Sequence, residues 1–281
     1  MPILPLSIVF VLLAACSGGE ATPTTPAKPA EPQPAAKAEP APTLPMDQLQ
    51  SQAKNITLVP SPAEMQRAMD KAGIAGGISG LVVDRQLKMD VQNKDVIAVR
   101  TGVILADALL TVKDAPKEKI ASRLGDVKAG LVALGAGKDL PATVDDLIAR
   151  LNNDSLNRDD LLKELDELHG AVIPEIEYEA GARCVPLIQA GSWLEGSNLV
   201  SGAILKANKP EAGTQLLRQP QVVDYFLQYV ATEGADKAPD EVLKQLQASL
   251  NKLKEIAVKP ALTIDDVKEV KSQTDAVLSL L

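Results

Sequence analysis

The chain has 281 residues, room for one large domain or two ordinary ones. Lys and Arg number 29 and Asp and Glu 37, a net charge of −8, with one His, one Trp and 2% aromatic residues. These counts exclude a basic, aromatic-rich nucleic-acid surface, a multi-His metal site and, with two Cys, a disulfide-rich scaffold.

Residues 3–15 are almost wholly apolar and lead into Cys16. The run is shorter than the roughly 20 residues that span a bilayer, and it suits the apolar region of a secretory signal. Met1 and Pro2 precede it without the Lys or Arg such signals normally carry. A buried N-terminal helix with a free Cys is the alternative, and Pro2 and Pro5 disfavour it. Ser17 to Pro45 is built from Ser, Gly, Thr, Ala, Pro, Glu, Lys and Gln, with Leu44 as its one larger apolar residue. Such a segment cannot bury enough surface to offset its conformational entropy. A disordered Pro/Ala-rich linker over 16–45 is therefore predicted, extended by its prolines to a reach of at most about 90 Å. It serves as a spacer or, alternatively, as a Pro-rich ligand for another protein.

Residues 46–281 predict one all-α domain, a multi-helix, bundle-like array. Ser61, Pro62 and Glu64 form a capping-box start with Pro at the first helical position, opening a helix that runs to Gly73. Gly76, Gly77 and Gly80 place a loop or short extended piece at 74–83. Apolar spacing predicts further helices at 93–113, 116–135, 143–153, 158–169, 175–207, 210–217, 220–232, 239–257 and 264–281. No alternating run is long enough for a sheet. Thr143, Asn157 and Thr263 each precede two acids and an apolar residue. The pattern reads as helix N-capping, the acids complementing the helix dipole, rather than as a calcium loop.

Zinc, nucleophile-elbow, phosphate-loop and dinucleotide motifs are absent from the sequence, and no catalysis is inferred. His169 before Gly170 reads as a helix C-terminus with a left-handed glycine cap. Cys184, among Val185, Leu187 and Ile188, reads as a buried, inert thiol. A redox or intermolecular thiol is the alternative.

Two apolar helices carry isolated charges. Between Arg183 and Lys206 the only formal charge is Glu195, near Trp193, with Gly191, Gly196 and Gly202 allowing close helix contact. Between Asp95 and Lys113 stand only Arg100 and Asp107. A buried carboxylate must find a partner or stay protonated. Arg100 is therefore expected to pair with Glu195, within a polar centre of Arg100, Asp107, Trp193 and Glu195. That centre is either a buried ion pair that specifies the fold or the floor of a small-ligand pocket.

Leu13-Ala14-Ala15-Cys16 resembles the lipobox of bacterial lipoproteins. The resemblance implies cleavage before Cys16, a covalent lipid on it, and no other cofactor. Ser17 after the Cys implies an outer-membrane lipoprotein facing the periplasm. Arg100-Thr-Gly102-Val-Ile-Leu-Ala106-Asp107 and Gly191-Ser-Trp193-Leu-Glu195-Gly196 resemble paired segments of uncharacterised helical lipoproteins of Gram-negative bacteria, over about 95–205. No activity carries over from that family. The sequence thus leads to a lipid-anchored envelope protein with a structural or interaction domain, its partner an envelope protein or the cell wall. A small-ligand-binding module is the alternative. Expressed in a Gram-negative host with labelled palmitate, the chain should take up label and gain an acyl mass increment, and Cys16→Ala should do neither. An unmodified Cys16 would remove the envelope assignment.

Overall fold

The structure, a computed structural model, describes residues 58–234 and 237–281. The signal segment, Cys16 and the linker lie outside the described residues. Among those described there are ten α-helices and no strand, an all-α array. They are α1 Pro62–Ala72, α2 Lys94–Thr111, α3 Lys117–Leu134, α4 Asp139–Asn152, α5 Arg158–Glu179, α6 Cys184–Ala207, α7 Pro210–Leu216, α8 Pro220–Glu233, α9 Asp240–Ala257 and α10 Ile264–Leu278.

Local chemistry sets the helix ends. The Ser61 hydroxyl accepts from Glu64 N at 3.1 Å and Ser61 N donates to Glu64 Oε2 at 2.7 Å, closing the expected capping box. Gly73, at φ 67°, ends α1 in the left-handed region. Asn157 caps α5 and Thr263 caps α10, each side chain accepting from the third residue on. Thr143 does not cap. α4 begins earlier, at Asp139, and the Thr143 hydroxyl donates back to the Asp139 carbonyl at 2.9 Å.

Gly170 does not end a helix either. The apolar stripe of α5 continues through Leu168, Val172 and Ile176, and burying it carries the helix past Gly170 and Pro174 to Glu179. Pro174 lies on the exposed side, so the carbonyl it leaves unbonded, that of Gly170, can be met by water. The break falls instead near Gly181, at φ 98°, which divides the stretch read as one helix over 175–207.

The array is organised around α2 and α6, both apolar on nearly every side. On one flank α3, α4 and α5 bury Ile120, Leu124, Leu147, Leu161 and Leu165 against α2. On the other, α8, α9 and α10 bury Phe226, Leu250, Leu253 and Val267 with α6. The two central helices touch at their backbones. A Cβ on Gly102 would lie 2.0 Å from the Ile188 carbonyl oxygen, and one on Gly191 would lie 2.0 Å from that of Val99. The Ser192 hydroxyl adds a bond to the Gly102 carbonyl at 3.0 Å.

Gly191→Ala should therefore cost about 3 kcal/mol in urea unfolding, because a backbone oxygen cannot swing aside as a side chain can. Gly125, within α3, has nothing within 4 Å of such a Cβ. Gly125→Ala should stabilise the chain by about 0.5–1 kcal/mol in the same measurement.

Candidate functional site

From their contact, α2 and α6 carry Asp107 and Glu195 into one polar centre. Glu195 is fully buried and Asp107 is 8% exposed. The cation on Glu195 is Arg85, whose Nη1 lies 2.7 Å from Glu195 Oε2 with its side chain 12% exposed. Arg100, the expected partner, does not reach Glu195. Its Nη1 donates to the Lys88 carbonyl at 2.7 Å and its Nε to the Leu281 main-chain oxygen at 3.1 Å. Arg100 thus straps two chain segments to α2.

Arg85 comes from residues 81–93, which contain no helix. Over 84–91 exposure alternates residue by residue, with Arg85, Leu87, Met89 and Val91 turned inward and Asp84, Gln86, Lys88 and Asp90 outward. Gln86, immediately after Arg85, takes φ 49°, in the left-handed region. The same two-residue period can be read in the sequence, Leu87, Met89 and Val91 fixing the phase and Arg85 sharing it. That signal marks Arg85 as inward-facing without naming the carboxylate it meets. Trp193 belongs elsewhere. Its Nε1 donates to Gln219 Oε1 at 2.7 Å, and its ring lies 5.3 Å from that of Phe226 on the α8 side of the core.

Burial, and after it the charge of Glu195, pushes the Asp107 carboxyl well above the usual Asp range. Burial also raises Glu195, opposed by the Arg85 guanidinium. The hydrogen bond between the two carboxyls raises Asp107 and lowers Glu195. Both carboxyls are thus pushed toward holding a proton, Asp107 the more strongly, with the Arg85 guanidinium favouring the charged form of Glu195. No backbone or side-chain N–H or hydroxyl donates to Asp107 Oδ1 or Glu195 Oε1, both buried. The one shared proton leaves acceptor capacity on this pair unmet.

Asp107 forms part of the wall of a cleft of about 500 Å³, with Asp84, Arg85, Lys119, Arg123 and Asp126. Arg123 Nη1 bonds Thr111 Oγ1 at 2.5 Å, and the Arg123 charge acts on Asp107. Asp126 is raised by burial and then by the neighbouring charge of Asp84. The cleft so presents acidic and cationic side chains side by side.

Two other groups lie apart. His169 is inside α5 near Asp166 and Glu64, its imidazole pushed down by burial. Cys184 is buried and free, its thiol pushed up by burial, which weakens it as a nucleophile. Neither stands beside Glu195. Among the described residues no group of His, Cys, Asp and Glu is placed to hold a metal ion, and no helix is long and apolar enough to cross a membrane. No protein-family model, curated protein or solved structure matches the chain.

The unfolded chain gives up the Asp107 proton near the ordinary Asp value, whereas the folded chain keeps it to a higher pH. Stability should fall as pH rises between those two values, by up to about 1.4 kcal/mol per pH unit. Asp107→Asn should flatten this slope when urea unfolding is measured across pH. An equally steep slope in the variant would show that Asp107 is not the proton holder.

Proposed function

We propose that the chain is a lipid-anchored envelope protein whose helical domain binds a small polar molecule in the cleft above Asp107. The observation that carries the binding half is the cleft of about 500 Å³, whose wall sets the acids Asp84, Asp107 and Asp126 beside the cations Arg85, Lys119 and Arg123. Asp84 and Asp126 suit a cationic or donor group, and Arg123 and Lys119 an acceptor or anionic group. This mixture favours a zwitterion such as an amino acid or a short peptide. The anchoring half rests on the sequence alone, on Leu13-Ala14-Ala15-Cys16 and the Pro-rich segment after it. No reaction is proposed. His169, Cys184 and Glu195, the residues such a reaction would need, stand in separate surroundings.

The test is a calorimetric titration and an unfolding-temperature screen with amino acids, dipeptides, polyamines and sugars. Zwitterions should raise the unfolding temperature, as any ligand specific to the folded state does. Asp107→Ala and Arg123→Ala should each weaken the best ligand at least tenfold, about 1.4 kcal/mol. If no compound shifts the transition at millimolar concentration, the binding reading fails and an envelope contact surface is the better account.

A further inference from the structure

The charges around the polar cleft are unequally committed. Arg85 lies against Glu195, and Asp107 shares a hydrogen bond with the same carboxyl. Five other charged side chains line the space, Asp84 and Lys88 from residues 81–93 and Lys119, Arg123 and Asp126 from α3. None of the five takes part in an ion pair among the described residues. The 81–93 segment bonds to α6 through the Arg85 side chain and to α2 through the Lys88 carbonyl. The two charged walls therefore face each other across the cleft without pairing.

Helix α3 sets its three charges in a row. Lys119, Arg123 and Asp126 stand four and then three residues apart, a spacing that keeps them on one face. Along the axis Arg123 is about 4.5 Å from Asp126, and Lys119 about 6 Å further on. Arg123 is the fixed member. Its Nη1 donates to Thr111 Oγ1 at 2.5 Å, and the Thr111 hydroxyl donates in turn to the Asp107 carbonyl at 2.5 Å. A guanidinium held by one nitrogen keeps its other donors for a carboxylate. At the other end of the row the charge of Asp84 reaches Asp126. An ammonium placed between these two acids removes their repulsion. The uncommitted groups are then three cations, Lys88, Lys119 and Arg123, against two acids.

We propose that the cleft selects an amino acid bearing two carboxylates over neutral and basic ones. The ammonium lies between Asp84 and Asp126, the α-carboxylate on Arg123, and the side-chain carboxylate on Lys119 with Lys88 opposite. One positive and two negative groups complement two acids and three cations, and the missing third charge is what rejects a neutral zwitterion. The inference rests on the zwitterion reading of this cleft and adds the second carboxylate to it.

The full chain is titrated calorimetrically with glutamate, glutamine, lysine and glutarate. Glutamine keeps the shape of glutamate without the side-chain charge, and glutarate keeps both carboxylates without the ammonium. Glutamate should bind about tenfold tighter than glutamine and than glutarate, since each comparison removes one charge-assisted contact. Lysine should bind more weakly than glutamine. Lys119→Gln should erase the preference for glutamate over glutamine while leaving glutamine affinity unchanged. Asp126→Asn should weaken glutamate and glutamine in equal proportion and leave glutarate unchanged. Both side chains are exposed, so each variant should keep the parent unfolding temperature. Equal affinity for glutamate and glutamine would overturn this inference and leave the zwitterion reading standing. So would failure of all four probes while another zwitterion binds. Failure of every zwitterion would remove both. Glutarate binding as tightly as glutamate would overturn the ammonium site, and a preference that survives Lys119→Gln would overturn the place of the side-chain carboxylate.

Discussion

The backbone contact of α2 with α6 at Gly102 and Gly191 is the constraint on which the rest of this molecule depends. With no Cβ at either position the two helices approach until side chains and carbonyls interlock. They run in the same direction at a nearly constant register. Asp95 meets Arg183 at one end, Gly102 meets Ser192 in the middle, and Asp107 meets Glu195 at the other. Side chains a turn or so beyond the glycines have no room to part. Two carboxyls are thereby held together in a place where both could not ionise without a large penalty.

That confinement explains the arrangement around the pair. One proton and one guanidinium are the least that two buried carboxyls need. Burial raises Asp107 toward its protonated form, and the guanidinium comes from Arg85. A buried ion pair adds little net stability, but removing one partner is costly. Arg85 sits on a segment without helical hydrogen bonds, so that segment must be held by other means. Leu87, Met89 and Val91 turn toward the core, and Arg100 grips the Lys88 carbonyl. Arg100 thus serves the polar centre by fixing the strand-like piece that delivers its cation.

The two ends of the α2–α6 contact differ in what surrounds them. Beside Asp107 and Glu195 the covering segment is irregular and charged, leaving a polar cleft. Near Asp95 and Arg183 the cover is the hairpin of α8 and α9, whose apolar faces diverge from the core and leave a hydrophobic cavity. One buried axis therefore supports two spaces of opposite chemistry.

Much of this was written in the order of residues. Capping chemistry at Ser61, Asn157 and Thr263 is local, so it could be read without knowing the fold. The apolar character of 93–113 and 184–205 marked the two central helices, and the lone acids Asp107 and Glu195 marked the polar centre, because burial follows from composition along one element. The end of α5 was not legible. Gly170 and Pro174 are locally unfavourable, and only the packing of Val172 and Ile176 carries the helix past them. Nor could sequence choose which arginine meets Glu195. Arg100 and Arg85 are both cations near apolar residues, and the choice rests on the direction each side chain takes after the chain has folded. Residue types and local spacing determined where helices and buried charges would be. The tertiary structure alone decided which of them meet, because contacts between distant segments depend on the path of the whole backbone.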